Sequence, residues 1–115
     1  MTEPVHTVRS VLAMLRASFR AREARKAQVC FEVRVNGVVV HAVVDRGRLD
    51  LYRGPTSDAD VVIEPGPMLT PLLTGEVSAE DALASGQVAL TGAPELLSWF
   101  VALFRLPELP SRAAA

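Results

Sequence analysis

"CFEVRVNGVVVHAVVDRGRLDLYRG", residues 30–54, decides the fold. Its apolar residues recur at every second position, the period of a strand rather than the 3.6 of a helix. Asn36-Gly37 is the favoured pair for a two-residue hairpin turn, because both residues tolerate positive φ. A turn there sets Val35 against Val38, Val33 against Val40 and Phe31 against Ala42. A second turn at Arg46-Gly47 sets Asp45 against Arg48, Val44 against Leu49 and Ala42 against Leu51. Both registers put Phe31, Val33, Val35, Val38, Val40, Ala42, Val44, Leu49 and Leu51 on one face. The other face receives Glu32, Arg34, His41, Asp50 and Tyr52, with Val39 and Val43 among them. A three-stranded antiparallel meander with one packed side and one wet side is therefore expected.

Upstream, Val5, Val8, Leu12, Leu15 and Phe19 recur at spacings of three and four. That is one stripe of a helix, expected over 1–26 with Thr2 as a cap and Pro4 in the first turn. Arg9, Arg16, Arg20, Arg22, Arg25 and Lys26 fall mostly off the stripe. They read either as a docking face for an anionic group or as an ordinary solvated face.

Downstream, Gly54-Pro55 breaks the meander, and Val61-Val62-Ile63 is a short buried strand closed by Pro65 and Pro67. "MLTPLLTG" is a short helix with Pro71 in its first turn and Gly75 as its stop. "SAEDALASG" is a second, capped by Ser78, with Asp81 at the third helical position and Gly86 at the end. Glu80 and Asp81 suit the positive end of that helix dipole and need no catalytic explanation. "QVALTG" reads as a last strand. "APELLSWFVALFRLP" reads as a closing helix that starts at Pro94, presents Leu97, Phe100, Val101 and Phe104, and stops at Pro107. The class is α+β: a five-stranded, largely antiparallel sheet with helices packed on one face.

At 115 residues the chain has the length of one domain. Its net charge of −1 lacks the basic excess of a dedicated nucleic-acid binder. Cys30 is the single cysteine, so neither an internal disulfide nor a thiolate zinc cluster is available, and a reducing, cytoplasmic location is expected. No apolar run approaches the ~18 residues of a membrane span, so no stable membrane insertion is expected. Glu3 stands where a signal peptide needs positive charge. The end, 107–115, reads as a disordered tail.

Residues 58–92, "DADVVIEPGPMLTPLLTGEVSAEDALASGQVALTG", resemble the sterol carrier protein 2 family. Asp58, Asp60, Leu69, Leu73, Gly75, Ala82, Gly86, Val88, Leu90 and Gly92 match the family's order of turn, helix, glycine and strand. The meander with its Asn36-Gly37 turn fits the family's first strands, and the resemblance covers 28–104. It implies a five-stranded sheet whose inner face and covering helices enclose a tunnel for lipids, fatty acids, acyl-CoA esters or sterols. It implies no catalysis and no cofactor. The family also occurs behind winged-helix DNA-binding domains and behind hydrolase domains. Here the N-terminal helix is too short and solitary for a helix-turn-helix. The chain ends soon after the closing helix, so a smaller or shallower cavity than in the eukaryotic lipid carriers is expected.

Candidate chemistry is thin. His41, paired with Glu32 across the strands, reads as a surface interaction; Cys30 reads as inert; Asp58 and Asp60 read as turn caps. The remaining candidate is the apolar face. The resemblance makes Phe31, Val33, Val40, Leu51, Leu69, Leu72, Leu73, Leu83, Leu97, Phe100 and Phe104 a ligand-binding set between the sheet and the helices at 66–85 and 94–105. From the residues alone, the same set is equally a solid core. The partner expected is therefore a small hydrophobic molecule, lipid or acyl-CoA-like. The alternative is a solid-cored interaction module or homodimer, related to the effector domain of winged-helix regulators. Trp99, one position off the closing helix's stripe, marks a cavity mouth or a dimer contact.

Overall fold

A computed structural model describes residues 7–106. The expected cap at Thr2, with Pro4 and Val5, lies outside the described residues, as does the tail 107–115. The elements in chain order are α1 (Val8–Ser18), β1 (Gln28–Val35), β2 (Val38–Asp45), β3 (Arg48–Arg53) and β4 (Val61–Glu64). They continue with α2 (Leu69–Thr74), α3 (Ala79–Ser85), β5 (Ala89–Thr91) and α4 (Glu95–Leu103).

The meander forms in the register its turns dictate. Val35 faces Val38, Val33 faces Val40 and Phe31 faces Ala42 across β1 and β2. Ala42 faces Leu51, and Val44 faces Leu49, across β2 and β3. Asn36 and Gly37 hold φ of 50° and 80°; Arg46 and Gly47 hold 52° and 90°. The sheet order is β3-β2-β1-β4-β5. β4 lies parallel to β1, setting Val61 beside Phe31 and Ile63 beside Val33, and β5 pairs antiparallel with β4. One parallel pair in an otherwise antiparallel sheet puts β1 at the centre, where its flanks are both occupied.

The helices cover one face. α1 begins at Thr7, whose hydroxyl accepts from the Ser10 amide while the Ser10 hydroxyl accepts from the Thr7 amide, a reciprocal cap. The helix ends at Ser18, short of the expected 26. Phe19 turns to extended backbone and bridges Phe104, and residues 21–26 form turns instead. Ser18 is buried and its carbonyl accepts from Arg105, so tertiary pairing overrides the helix propensity of "RAREARK". The buried residues of α1 are Val11, Leu15 and Ser18, with Val8 and Leu12 packed beside them. The stripe docks within the molecule, one position away from the expected Val8–Leu12 line.

A 3₁₀ turn, Gly66–Met68, precedes α2, and Pro71 occupies the first turn of α2 as expected. Gly75 and Gly86 close α2 and α3 in the left-handed region, and Ser78 caps α3 through the Asp81 amide at 3.0 Å. β5 is confined to three residues of the expected "QVALTG". α4 ends at Leu103, so Phe104 is its extended C-cap rather than its last helical residue.

Candidate functional site

The sequence-derived ligand set converges in space. Phe31, Val33, Val40, Leu69, Leu72, Leu73, Leu97, Phe100 and Phe104 are all fully buried in one core cluster, and Leu51 and Leu83 pack half-buried at its edge. β1 delivers Phe31 and Val33 inward, α2 delivers its three leucines, and α4 delivers Leu97 and Phe100. Phe31 meets Phe100 edge-on with ring centroids 5.3 Å apart, and Phe104 at 6.1 Å. Phe100 and Phe104 lie at 5.1 Å, and Phe19 closes the group on Phe104 at 5.5 Å. Such aromatic pairs contribute about 0.5–1.5 kcal/mol each beyond the area they bury. In this state the set is close-packed.

The open space lies beside that core. An apolar groove of about 300 Å³ runs between the 23–27 turn and α4, lined by Glu23, Lys26, Ala27, Ser98, Trp99, Ala102 and Leu103. Ala27 and Leu103 belong to the core cluster, so the groove floor is the core's own wall. Trp99 stands at its rim, 45% exposed. A second depression, about 290 Å³, lies on the other flank of α4 and includes Val77, Val101 and Arg105. Sequence reasoning singled out Trp99 but missed the rest of the groove. One wall is the 23–27 turn, which occupies the stretch expected to be helix. The legible signal was the small residue Ala102, one turn beyond Trp99 on the same side of α4.

The outer sheet face is not uniformly wet. Glu32 is 1% exposed and Cys30 is buried, because residues 54–60 fold across them. The Thr56 amide donates to Glu32 Oε1 at 3.0 Å, and Arg34 Nε donates to Oε2 at 2.6 Å. Gly54 O meets His41 Nδ1 at 2.9 Å, and the imidazole stacks on Tyr52 at 5.0 Å. Asp60 accepts from the Cys30 amide at 2.8 Å and donates its own amide to the Cys30 carbonyl. Burial pushes the Glu32 pKa up, but the Thr56 amide, Arg34 and His41 outweigh it and leave the carboxyl below its ordinary value. Burial, then the charges of Asp60, Asp58 and Glu32, push the Cys30 thiol up. His41 and Glu32 do face each other, yet they anchor a strap over the sheet instead of making the expected solvated pair. Asp60 therefore ties the 54–60 segment to β1 instead of capping its own turn as expected, and at Asp58 it is the amide that bonds the Thr56 hydroxyl.

No protein-family model and no curated protein matches the sequence. Solved structures do match the fold. The chain is similar to part of the stereoselective inverting sec-alkylsulfatase Pisa1 from Pseudomonas sp., with 18% identity and a TM-score of 0.72. The match covers 82% of this chain and only 16% of the sulfatase. It is similar to the ubiquinone synthesis protein UbiJ-SCP2 at 18% identity and a TM-score of 0.64, covering 84% of this chain and 90% of that one. It is also similar to palmitated sterol carrier protein 2-like 2 from Aedes aegypti, at 20% identity and a TM-score of 0.57. That match covers 92% of this chain and the whole of the mosquito protein. At these identities the likeness establishes the fold: the chain has the sterol carrier protein 2 fold.

Proposed function

We propose that this sterol carrier protein 2 fold works as a non-catalytic binder of a small hydrophobic ligand, of the lipid, fatty acyl or sterol-like class. The observation that carries the reading is the apolar groove of about 300 Å³ whose floor, Ala27 and Leu103, is continuous with the core. That volume stands at the lower end of the range typical of small-molecule sites. The ligand enters between the 23–27 turn and α4, and its apolar part lies against Leu103. Behind Leu103 stand Phe104 and Phe100, members of the set Phe31, Val33, Val40, Leu51, Leu69, Leu72, Leu73, Leu83, Leu97, Phe100 and Phe104. A longer chain reaches that set by moving α4 away from the sheet. Each methylene removed from water contributes roughly 0.8 kcal/mol, so a short apolar segment suffices for micromolar affinity.

Two further points support a binder over an enzyme. Among the described residues, the histidine, the buried acid and the thiol are engaged: His41 on the Gly54 carbonyl, Glu32 on Thr56 and Arg34, and the Cys30 thiol shielded by burial. The same fold occurs in a palmitated mosquito protein and in a ubiquinone synthesis protein.

The test is native mass spectrometry of the protein with and without a fatty-acid panel. Wild type is expected to retain a ligand. Ala102→Trp fills the groove from its exposed wall without touching the core, and is expected to lose retention with an unchanged circular dichroism spectrum. If wild type retains no member of the panel, or Ala102→Trp retains it equally, the binder reading is wrong.

A further inference from the structure

We propose that the second depression, on the flank of α4 away from the groove, binds a small aliphatic zwitterion of the free α-amino-acid type. It shares only Ser98 with the groove, and it stands whether or not the groove holds a lipid.

The depression, about 290 Å³, lies where the 75–78 turn and the first turn of α3 meet α4. Its two charged residues are Arg105 and Glu80. Arg105 is held by its backbone: its amide donates to the Ser18 carbonyl at 2.7 Å, and the Leu106 amide donates to the Leu73 carbonyl at 2.8 Å. The guanidinium lies across Gly75, where a β-carbon would sit 2.9 Å from Cζ. Gly75 already takes a φ of 85° to close α2, so glycine serves there twice, for the turn and for the room the guanidinium occupies. Glu80 comes from the first turn of α3; its neighbour Asp81 does not line the depression.

Opposite charges that line one depression attract, yet neither Arg105 nor Glu80 has an ion-pair partner among the described residues. The wall also carries Val77 and Val101, both half-buried and packed on the core, and the Ser98 hydroxyl. A ligand with a single charge would be drawn to one of the two charged residues and repelled by the other. A carboxylate and an ammonium on one carbon satisfy both. The guanidinium fork takes the carboxylate, Glu80 takes the ammonium, and a branched aliphatic side chain covers the two valines. The volume stands just under the usual range for small-molecule sites, which suits a ligand of this size.

L-Leucine is the probe, with two analogues that each lack one charge: isocaproate without the ammonium and isoamylamine without the carboxylate. Binding is followed by NMR through the backbone amide shifts. Leucine is expected to move the Gly75 and Val101 amides with a Kd on the order of a millimolar, and to leave Lys26 and Ala27 of the groove unmoved. Each analogue is expected to bind about fivefold more weakly, the upper value for an exposed ion pair. R105Q should bind leucine and isoamylamine alike, and E80Q should bind leucine and isocaproate alike, because the charge each analogue lacks has then lost its partner. Unmoved Gly75 and Val101 amides, an analogue that binds as tightly as leucine, variants that keep the wild-type preference, or shifts centred on Lys26 and Ala27 overturn the proposal. The comparison of the three probes uses wild type alone, so it decides the matter even if a variant misfolds. Fatty-acid retention in the mass spectrometer is a separate readout, and either result can fail without the other.

Discussion

Replacing Glu32 with glutamine isolates a buried charge at the centre of the sheet. In wild type the carboxylate is 1% exposed, accepts the Thr56 amide at 3.0 Å and accepts Arg34 Nε at 2.6 Å. Glutamine keeps one carbonyl oxygen for Thr56 and turns an amide donor toward a guanidinium donor. The charge-assisted bond is lost, a gross change of about 1.5–3 kcal/mol. Arg34 is half-exposed and can rehydrate, and glutamine avoids the desolvation of a charge, so the net cost at pH 7 is about 1–2 kcal/mol. For a chain of this size that lowers Tm by roughly 4 °C per kcal/mol. The pH dependence is the sharper test. The folded-state pKa of Glu32 is depressed, so its contribution is complete above the unfolded carboxyl value, about 4.3, and is lost as pH falls through the lower folded value. Urea titrations of both proteins from pH 7 down to about 3 should therefore show the gap between them closing below about pH 4.3, where Glu32 itself becomes neutral. A gap that stays constant over that range, or no gap at pH 7, would refute the assignment of Glu32 as a charged anchor for residues 54–60.

Two further outcomes are expected. Arg46 holds a left-handed conformation, φ 52°, that costs a non-glycine residue on the order of 1 kcal/mol; Arg46→Asn should raise the unfolding free energy by about 0.3–1 kcal/mol, read as a higher urea midpoint at an unchanged m-value, and a destabilised variant would show that the side chain contributes more than the strain. Cys30 should resist alkylation by iodoacetamide at pH 8 in the native state and react fully in urea, because burial and then three nearby carboxylates raise its pKa; rapid native-state labelling would show that the 54–60 strap opens freely.

The meander was readable from sequence because two independent constraints agree on it. Turn chemistry at Asn36-Gly37 and Arg46-Gly47 fixes the pairing, and the period-2 pattern fixes which face is buried. A slip of one residue would expose Phe31, Val33 and Val40 together. Glycine stops and serine caps were readable for the same reason: the backbone conformation they need is local. The failures have the opposite cause. "RAREARK" is made of good helix formers, and nothing local in it ends α1 at Ser18. The terminating forces are the Ser18–Arg105 backbone bond and the Phe19–Phe104 bridge, which come from the far end of the chain. The parallel partnership of β4 with β1 is likewise a long-range choice that periodicity does not encode.

The same asymmetry governs the site. The inner-face residues could be named because burial follows from alternation, and all of them do converge. Whether they surround space or fill it depends on sub-ångström packing between layers, which residue type does not specify. The groove lies one layer out, against Leu103, between the 23–27 turn and α4. Ala24, in the stretch expected to continue the helix, and Ala27 just after it are buried in the core. The turn that supplies Ala27 to the groove floor buries Ala24 and Ala27 while leaving Arg22, Arg25 and Lys26 in solvent. Loosening the Phe19–Phe104 bridge should therefore alter ligand retention from inside the molecule, whereas Ala102→Trp should remove it from the exposed wall of the groove.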